Sequence, residues 1–134
     1  MEPYLSHIEN GDNRKALCQL RLSSHPLNIE SLRGKITDPK LRLCTLCDDT
    51  KVEDEFHFMM QCNKYENERN IFIENISNYC INFRELNLQN KFLWLLSNED
   101  KQICKDLGHL IKRCFDIRKE CLAKAKCDDS REIQ

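Results

Sequence analysis

Polar and apolar positions along the chain fall into helical rhythm in five places. From Asp12 or Asn13, read as the N-cap, to Leu22, the residues Ala16, Leu17 and Leu20 return at three- and four-residue spacing, which predicts a helix with one buried face. Ser23-Ser24-His25-Pro26 ends it, because the residue before a proline avoids the α region. Residues 26–43 hold Pro26, Gly34 and Pro39 and no sustained period, which predicts an irregular connector. Farther on, Glu53-Asp54-Glu55 suits the positive end of a helix carrying Phe56 to Gln61. Tyr65, Phe72, Ile76 and Tyr79 mark a helix over about 65–79, and Phe92-Leu93-Trp94-Leu95-Leu96 lies in another over about 88–96. The last helix has Asn98 as its cap and Glu99 and Asp100 in its first turn. Its stripe of Ile103, Leu107, Leu110, Cys114, Ile117 and Cys121 outweighs the roughly 1 kcal/mol that Gly108 costs relative to alanine.

Composition agrees with helices. Strands draw on β-branched residues, and the chain has one valine and three threonines, with only three glycines and three prolines for turns. The expected class is all-α. At 134 residues the chain suits one domain and is too short for a polymerase or kinase. Leu, Ile, Val and Phe make up about 26% of it, above the roughly 20% below which chains stay disordered. Lys plus Arg (21) nearly cancels Asp plus Glu (22), so global charge announces neither nucleic acid nor an anionic membrane. Met1 to His7 lacks the apolar core of a signal peptide, and no run approaches the roughly 18 apolar residues of a membrane span. An intracellular, reducing location is expected, with no membrane partner and no small-molecule substrate.

Nine cysteines change the picture. The odd number leaves one thiol over from any full set of disulfides, and free or metal-bound thiols suit a reducing interior. Four residues stand at metal-ligand spacing: Cys44, Cys47, His57 and Cys62, or C-x2-C-x9-H-x4-C. A two-residue gap lets the first two sulfurs turn toward one point. Along a continuous α-helix five residues rotate about 500°, so His57 and Cys62 would diverge by about 140°. The helix must therefore end near Cys62-Asn63 for the ligands to meet. Three thiolates and an imidazole suit one tetrahedral Zn²⁺, and four protein ligands leave no open position, so the zinc is expected to be structural. Two other readings stay open: unrelated buried thiols, and a redox Cys-x-x-Cys, which lacks its usual βαβ setting here. The zinc deaminase pattern fails, since no His-x-Glu precedes the pair and no proline precedes Cys44. Cys104, His109, Cys114 and Cys121 invite a second site, but five-residue spacings splay the first three around a helix. Cys114 and Cys121 read as core.

The stretch Arg42-Leu43-Cys44-Thr45-Leu46-Cys47, followed by Val52-Glu53-Asp54-Glu55-Phe56-His57-Phe58-Met59-Met60-Gln61-Cys62 and then Tyr65 and Arg69, resembles a known family. It is similar to the zinc-binding region C-terminal to non-LTR (LINE-type, jockey-like) retrotransposon reverse transcriptases. Arg14 to Arg21 with Asn28-Ile29-Glu30 looks like the helix and connector that precede that zinc site, and the tail from Phe92 to Arg118 is similar more loosely. Many relatives carry proline after the last cysteine, where this chain has Asn63. No polymerase aspartate pair or endonuclease carboxylate set is visible, so the resemblance implies a detached module without enzymatic activity. It also implies accessory binding of RNA or DNA.

Charge limits that implication. Residues 44–79 hold three basic and eight acidic side chains, which argues against the metal knuckle itself tracking phosphates. The candidate nucleic-acid contacts are Arg14 and Arg21 on the first helix, and Lys112 and Arg113 on the last. Around the knuckle they are Arg42, Lys64 and Arg69, with Tyr65 as the stacking candidate. Lys105, Arg118, Lys119, Lys124 and Lys126 extend the basic positions of the last helix, where a plain solvated face is the competing reading. Phe56, Phe58, Phe72, Trp94 and Phe115 read as core. A zinc-stabilised protein-interaction or scaffold module is the alternative function. The expected organisation is a single domain over 1–134: helix and connector at 13–43, zinc knuckle at 44–62, helical subdomain at 63–127, disordered tail at 128–134.

Overall fold

The computed structural model describes residues 11–47, 49–78 and 80–132, with side chains through 125. The fold is all-α, and its described helices are α1 (Gly11–Arg21), α2 (Asn28–Ser31), α3 (Glu66–Ser77), α4 (Leu88–Ser97) and α5 (Lys101–Glu132). Short 3₁₀ turns at Pro39–Leu41, Asn63–Tyr65 and Phe83–Glu85 and a π-turn at His57–Gln61 join them. The Leu43–Val52 pair forms an isolated antiparallel bridge. Tyr79, the last apolar position expected of the third helix, lies outside the described residues.

Helix α1 buries Ala16, Leu17 and Leu20, as its spacing requires. Its end is set by backbone geometry more than by Pro26. Ser23 adopts φ 56°, Ser23 N–H bonds the Leu20 carbonyl and Ser24 N–H the Gln19 carbonyl, which is the Schellman pattern. The connector is more ordered than expected, because it contains α2 and the turn at Pro39–Leu41, the latter capped by Asp38. Asn87 caps α4 by accepting from Asn90 N–H.

The long helix α5 is the spine, with α1 and α3 both packed on it. Its cap is Asp100, whose carboxylate accepts from the amides of Gln102 and Ile103, while Asn98 caps the turn before it by accepting from Asp100 N–H. Ile103, Cys104, Leu107, Leu110, Ile111 and Cys114 are buried, but Ile117 and Cys121 are only half-buried. Past Cys114 the buried position falls on Arg118, which bonds Glu53 in the loop between Cys44 and Cys62. The helix continues to Glu132, into the stretch expected to be disordered, because Ala123-Lys124-Ala125-Lys126 are helix formers with no glycine or proline to stop them. Aromatic rings tie the loop between Cys44 and Cys62 to this frame: Phe58 stacks on Phe115 at 5.1 Å and meets Tyr65 edge-on at 4.9 Å.

Candidate metal centre

Two local structures deliver the four side chains. The first is a small hairpin. Cys44 N–H donates to the Lys51 carbonyl (2.8 Å) and Glu53 N–H to the Arg42 carbonyl (3.0 Å), so the chain reverses between them and brings Cys44 and Cys47 to one side. The second is the helical turn after Asp54. Asp54 caps it, its carboxylate accepting from His57 N–H at 2.8 Å, which is an N-cap contact to the third helical residue. The turn then widens: Cys62 N–H donates to the His57 carbonyl at 2.7 Å, an i→i+5 bond. Cys62 itself is extended (φ −62°, ψ 125°). The expected break after Gln61 is thus present, and a π-turn ahead of it fits the extra residue that an α-turn would have carried to the wrong side.

The result is a compact cluster. One ligand atom from each of Cys44, Cys47, His57 and Cys62 lies within 4.8 Å of the others. Cys44 Sγ and Cys62 Sγ are 4.0 Å apart, and Cys47 Sγ is 3.3 Å from His57 Nε2. Cys44, His57 and Cys62 are buried and Cys47 is half-buried, so one edge faces solvent. The electrostatics are those of thiols crowded together. The hydrogen bond from Cys62 lowers the Cys44 pKa to about 3, favouring its thiolate, while that bond and burial push Cys62 up. Burial also raises Cys47, and the hydrogen bond with Cys44 raises His57. His57 Nδ1 is buried without a hydrogen-bond partner among the described residues. A metal ion fits this set: it would replace shared protons among the sulfurs and engage the imidazole. Among the described residues no other group of three or more Cys, His, Asp or Glu side chains is gathered closely enough to hold one. The described cysteines are all free thiols.

The structure corrects several expectations about the surrounding cations. Arg42 is buried, and its guanidinium donates to the carbonyls of Ile29, Ile36 and Thr37, pinning the connector. Tyr65, 1% exposed, is a core ring and no stacking platform, because it is packed edge-on against Phe58 in the interior. Arg69 donates to the Met59 and Cys62 carbonyls at 2.7 Å each, so it serves the ligand turn. Arg21 donates to the carbonyls of Leu95 and Asn98 at the end of α4. Lys112 pairs with Asp116 at i, i+4. Lys64 and Arg113 are exposed and Arg14 half-exposed.

The roles of four side chains, Glu53, Arg118, Asn28 and His25, were missed from sequence. Glu53, expected in an acidic first helical turn, is 1% exposed and accepts both Arg118 Nε (3.0 Å) and Arg118 Nη2 (2.8 Å). Asn28 completes the network: its N–H donates to Glu53, its side-chain amide to the Leu43 carbonyl, and its Oδ1 accepts from Arg118. The signal for Arg118 was its place at i+4 from Cys114 on the buried stripe. His25 is buried too, with Nε2 donating to Glu55 (2.7 Å) and Nδ1 accepting from Leu27 N–H (3.3 Å), so both ring nitrogens are engaged in holding the chain. The hydrogen bond from His25 lowers the Glu55 pKa.

No family model, curated protein or solved structure matches this chain. No helix among the described residues is long and apolar enough to cross a membrane.

Proposed function

We propose that this chain is a helical module held together by one structural zinc ion, derived from the region that follows the reverse transcriptase of non-LTR retrotransposons, with accessory contact to RNA or DNA. The observation that carries the metal assignment is the convergence of Cys44, Cys47, His57 and Cys62. Zinc–ligand bonds of ordinary length imply tetrahedral edges of about 3.8 Å between sulfurs and about 3.6 Å between sulfur and nitrogen. The 4.0 and 3.3 Å separations lie close to these. Soft thiolates with imidazole favour zinc over oxygen-seeking cations, and a closed set of four favours a structural over a catalytic ion. The reading assigns no enzymatic activity. The retrotransposon origin rests on the motif in the sequence, and a polymerase reading frame in the genomic DNA upstream of Met1 would support it. Metal analysis of purified protein is expected to give one zinc per chain; well under one overturns the assignment.

Nucleic-acid contact falls to the cations that remain on the surface. Lys105, Lys112 and Lys119 recur every seven residues along α5, a spacing that drifts by about 20° per step and so keeps them on one side. Lys15 of α1 joins Lys119 and the Asp116-paired Lys112 at a groove of about 880 Å³ between α1 and α5, which Asp12 and Asp116 also line. Binding to single-stranded RNA or DNA should weaken with salt. Replacing Lys112 and Lys119 with glutamine should lower the slope of log K against log[salt] by about 0.7 for each phosphate no longer neutralised. Flat binding at low salt with zinc-loaded protein would overturn the nucleic-acid role. It would favour the protein-interaction reading, which draws on the exposed Leu22, Leu41, Ile71, Ile81, Leu88 and Leu93.

A further inference from the structure

Resting on the metal reading above, we infer that Arg69 is a positioning residue for the metal centre, fixing the π-turn that lets His57 and Cys62 reach one ion. The argument starts from the turn's unfinished backbone. An i→i+5 bond closes His57 onto Cys62, and the chain then turns extended, so the Phe58 and Met59 carbonyls lose the helical amides that would have met them and the Cys62 carbonyl keeps only a long bond from Tyr65 N–H (3.4 Å). Arg69, one turn into α3, reaches back to that end. Its Nε donates to the Met59 carbonyl at 2.7 Å, and its Nη2 to the Cys62 carbonyl at 2.7 Å, with the Phe58 carbonyl 3.5 Å away. One planar group thus fixes the interior of the turn and a ligand residue at its exit. It thereby holds Cys62 against Met59, across the turn that His57 opens.

Charge points the same way. Arg69 is half-buried and forms no ion pair among the described residues. A divalent ion with three thiolates and a neutral imidazole carries one net negative charge, which a half-buried guanidinium beside it offsets. A half-buried cation bonded only to carbonyls is otherwise a poor choice for holding a turn. Lysine cannot reproduce the arrangement, because its single ammonium cannot span two carbonyls with the geometry of the guanidinium fork.

The test uses the full chain and two probes, Zn²⁺ in competition with a chelating dye and Co²⁺ as a spectroscopic stand-in. Arg69→Met should weaken Zn²⁺ binding by about 10- to 100-fold, the range for removing a group that supports a metal ligand from behind. The Co²⁺ ligand-field bands should shift as the tetrahedron distorts. Arg69→Lys keeps the charge and the stem and should recover only part of both. Leu107→Ala truncates a fully buried residue of α5 and serves as the control for general destabilisation. It should leave the Co²⁺ spectrum of the loaded protein unchanged. Wild-type affinity and spectrum in both Arg69 variants would overturn the inference while leaving the metal reading intact, as would a spectral change in Leu107→Ala matching theirs. Wild-type protein that binds neither ion would overturn both.

Discussion

Glu53 and Arg118 show how one pair of side chains can join parts of the chain 65 residues apart. Their side chains are 2% and 9% exposed, and the two parallel bonds make the planar, two-pronged contact for which arginine is suited. Burial opposes the charge on Arg118, but the hydrogen bonds and charge of Glu53 outweigh it and hold its pKa above the ordinary value. Such a pair is costly to break from one side, since the partner is left charged and unsatisfied. Arg118→Met should destabilise the protein by about 3–5 kcal/mol, and Glu53→Gln by a similar amount. The double variant should cost less than the sum of the two by about 1–3 kcal/mol, because the second change removes the stranded charge. Urea unfolding of the four proteins measures this directly. Strict additivity would show that the bonds contribute no coupling.

At the scale of elements, the ligand hairpin carries a strain that the sequence conceals. Thr50 sits near its tip at φ 51°, a region that β-branched residues rarely occupy. Thr50→Gly should relieve about 1 kcal/mol and raise the thermal midpoint without changing metal stoichiometry; a fall in the midpoint would show that the threonine side chain offsets its backbone. The helices were the most legible elements. The buried faces of α1 and of the first half of α5 follow from three-and-four spacing alone, and the break at Cys62 follows from the rotation of an α-helix. What spacing could not supply was the means: a π-turn differs from an α-turn by one hydrogen bond, and no residue preference distinguishes them. Capping was legible only to within a residue or two, because Asn98 and Asp100 are both good caps and their bonds with one backbone decided between them. Arg42 and Arg69 read as surface cations because carbonyl partners leave no mark on a sequence.

For the molecule as a whole, the position of the ligands within the core decides how far a metal matters. The ligand loop from Cys44 to Cys62 contains Phe58, Met59 and Met60, all buried, and Tyr65 follows within three residues. The same loop supplies Glu53 to Arg118 and the Phe58 ring to Phe115, so two of the contacts that hold the middle of α5 come from the chain between Cys44 and Cys62, beside those from Asn28 and α1. Structural zinc contributes roughly 10–16 kcal/mol in small zinc-binding peptides, as large as the roughly 5–15 kcal/mol that separates a typical folded domain from its unfolded state. Ligation on that scale is comparable to the domain's whole stability. Chelation should therefore abolish the cooperative thermal transition rather than lower it by a few degrees. Hydrogen-exchange protection should fall to near zero across 42–66, including the amides of Cys44 and Cys62 that now bond Lys51 and His57. Loss of the Phe58 and Glu53 anchors should carry the change into α5 around Phe115 and Arg118. The pairing of α1 with the earlier part of α5 has apolar residues of its own in Ala16, Leu17, Leu20, Ile103 and Leu107, and should retain the most residual helix. A chelated protein with unchanged protection across 42–66 would show that the hairpin and turn are held by packing alone, with the four side chains gathered as a consequence of the fold and not as its cause.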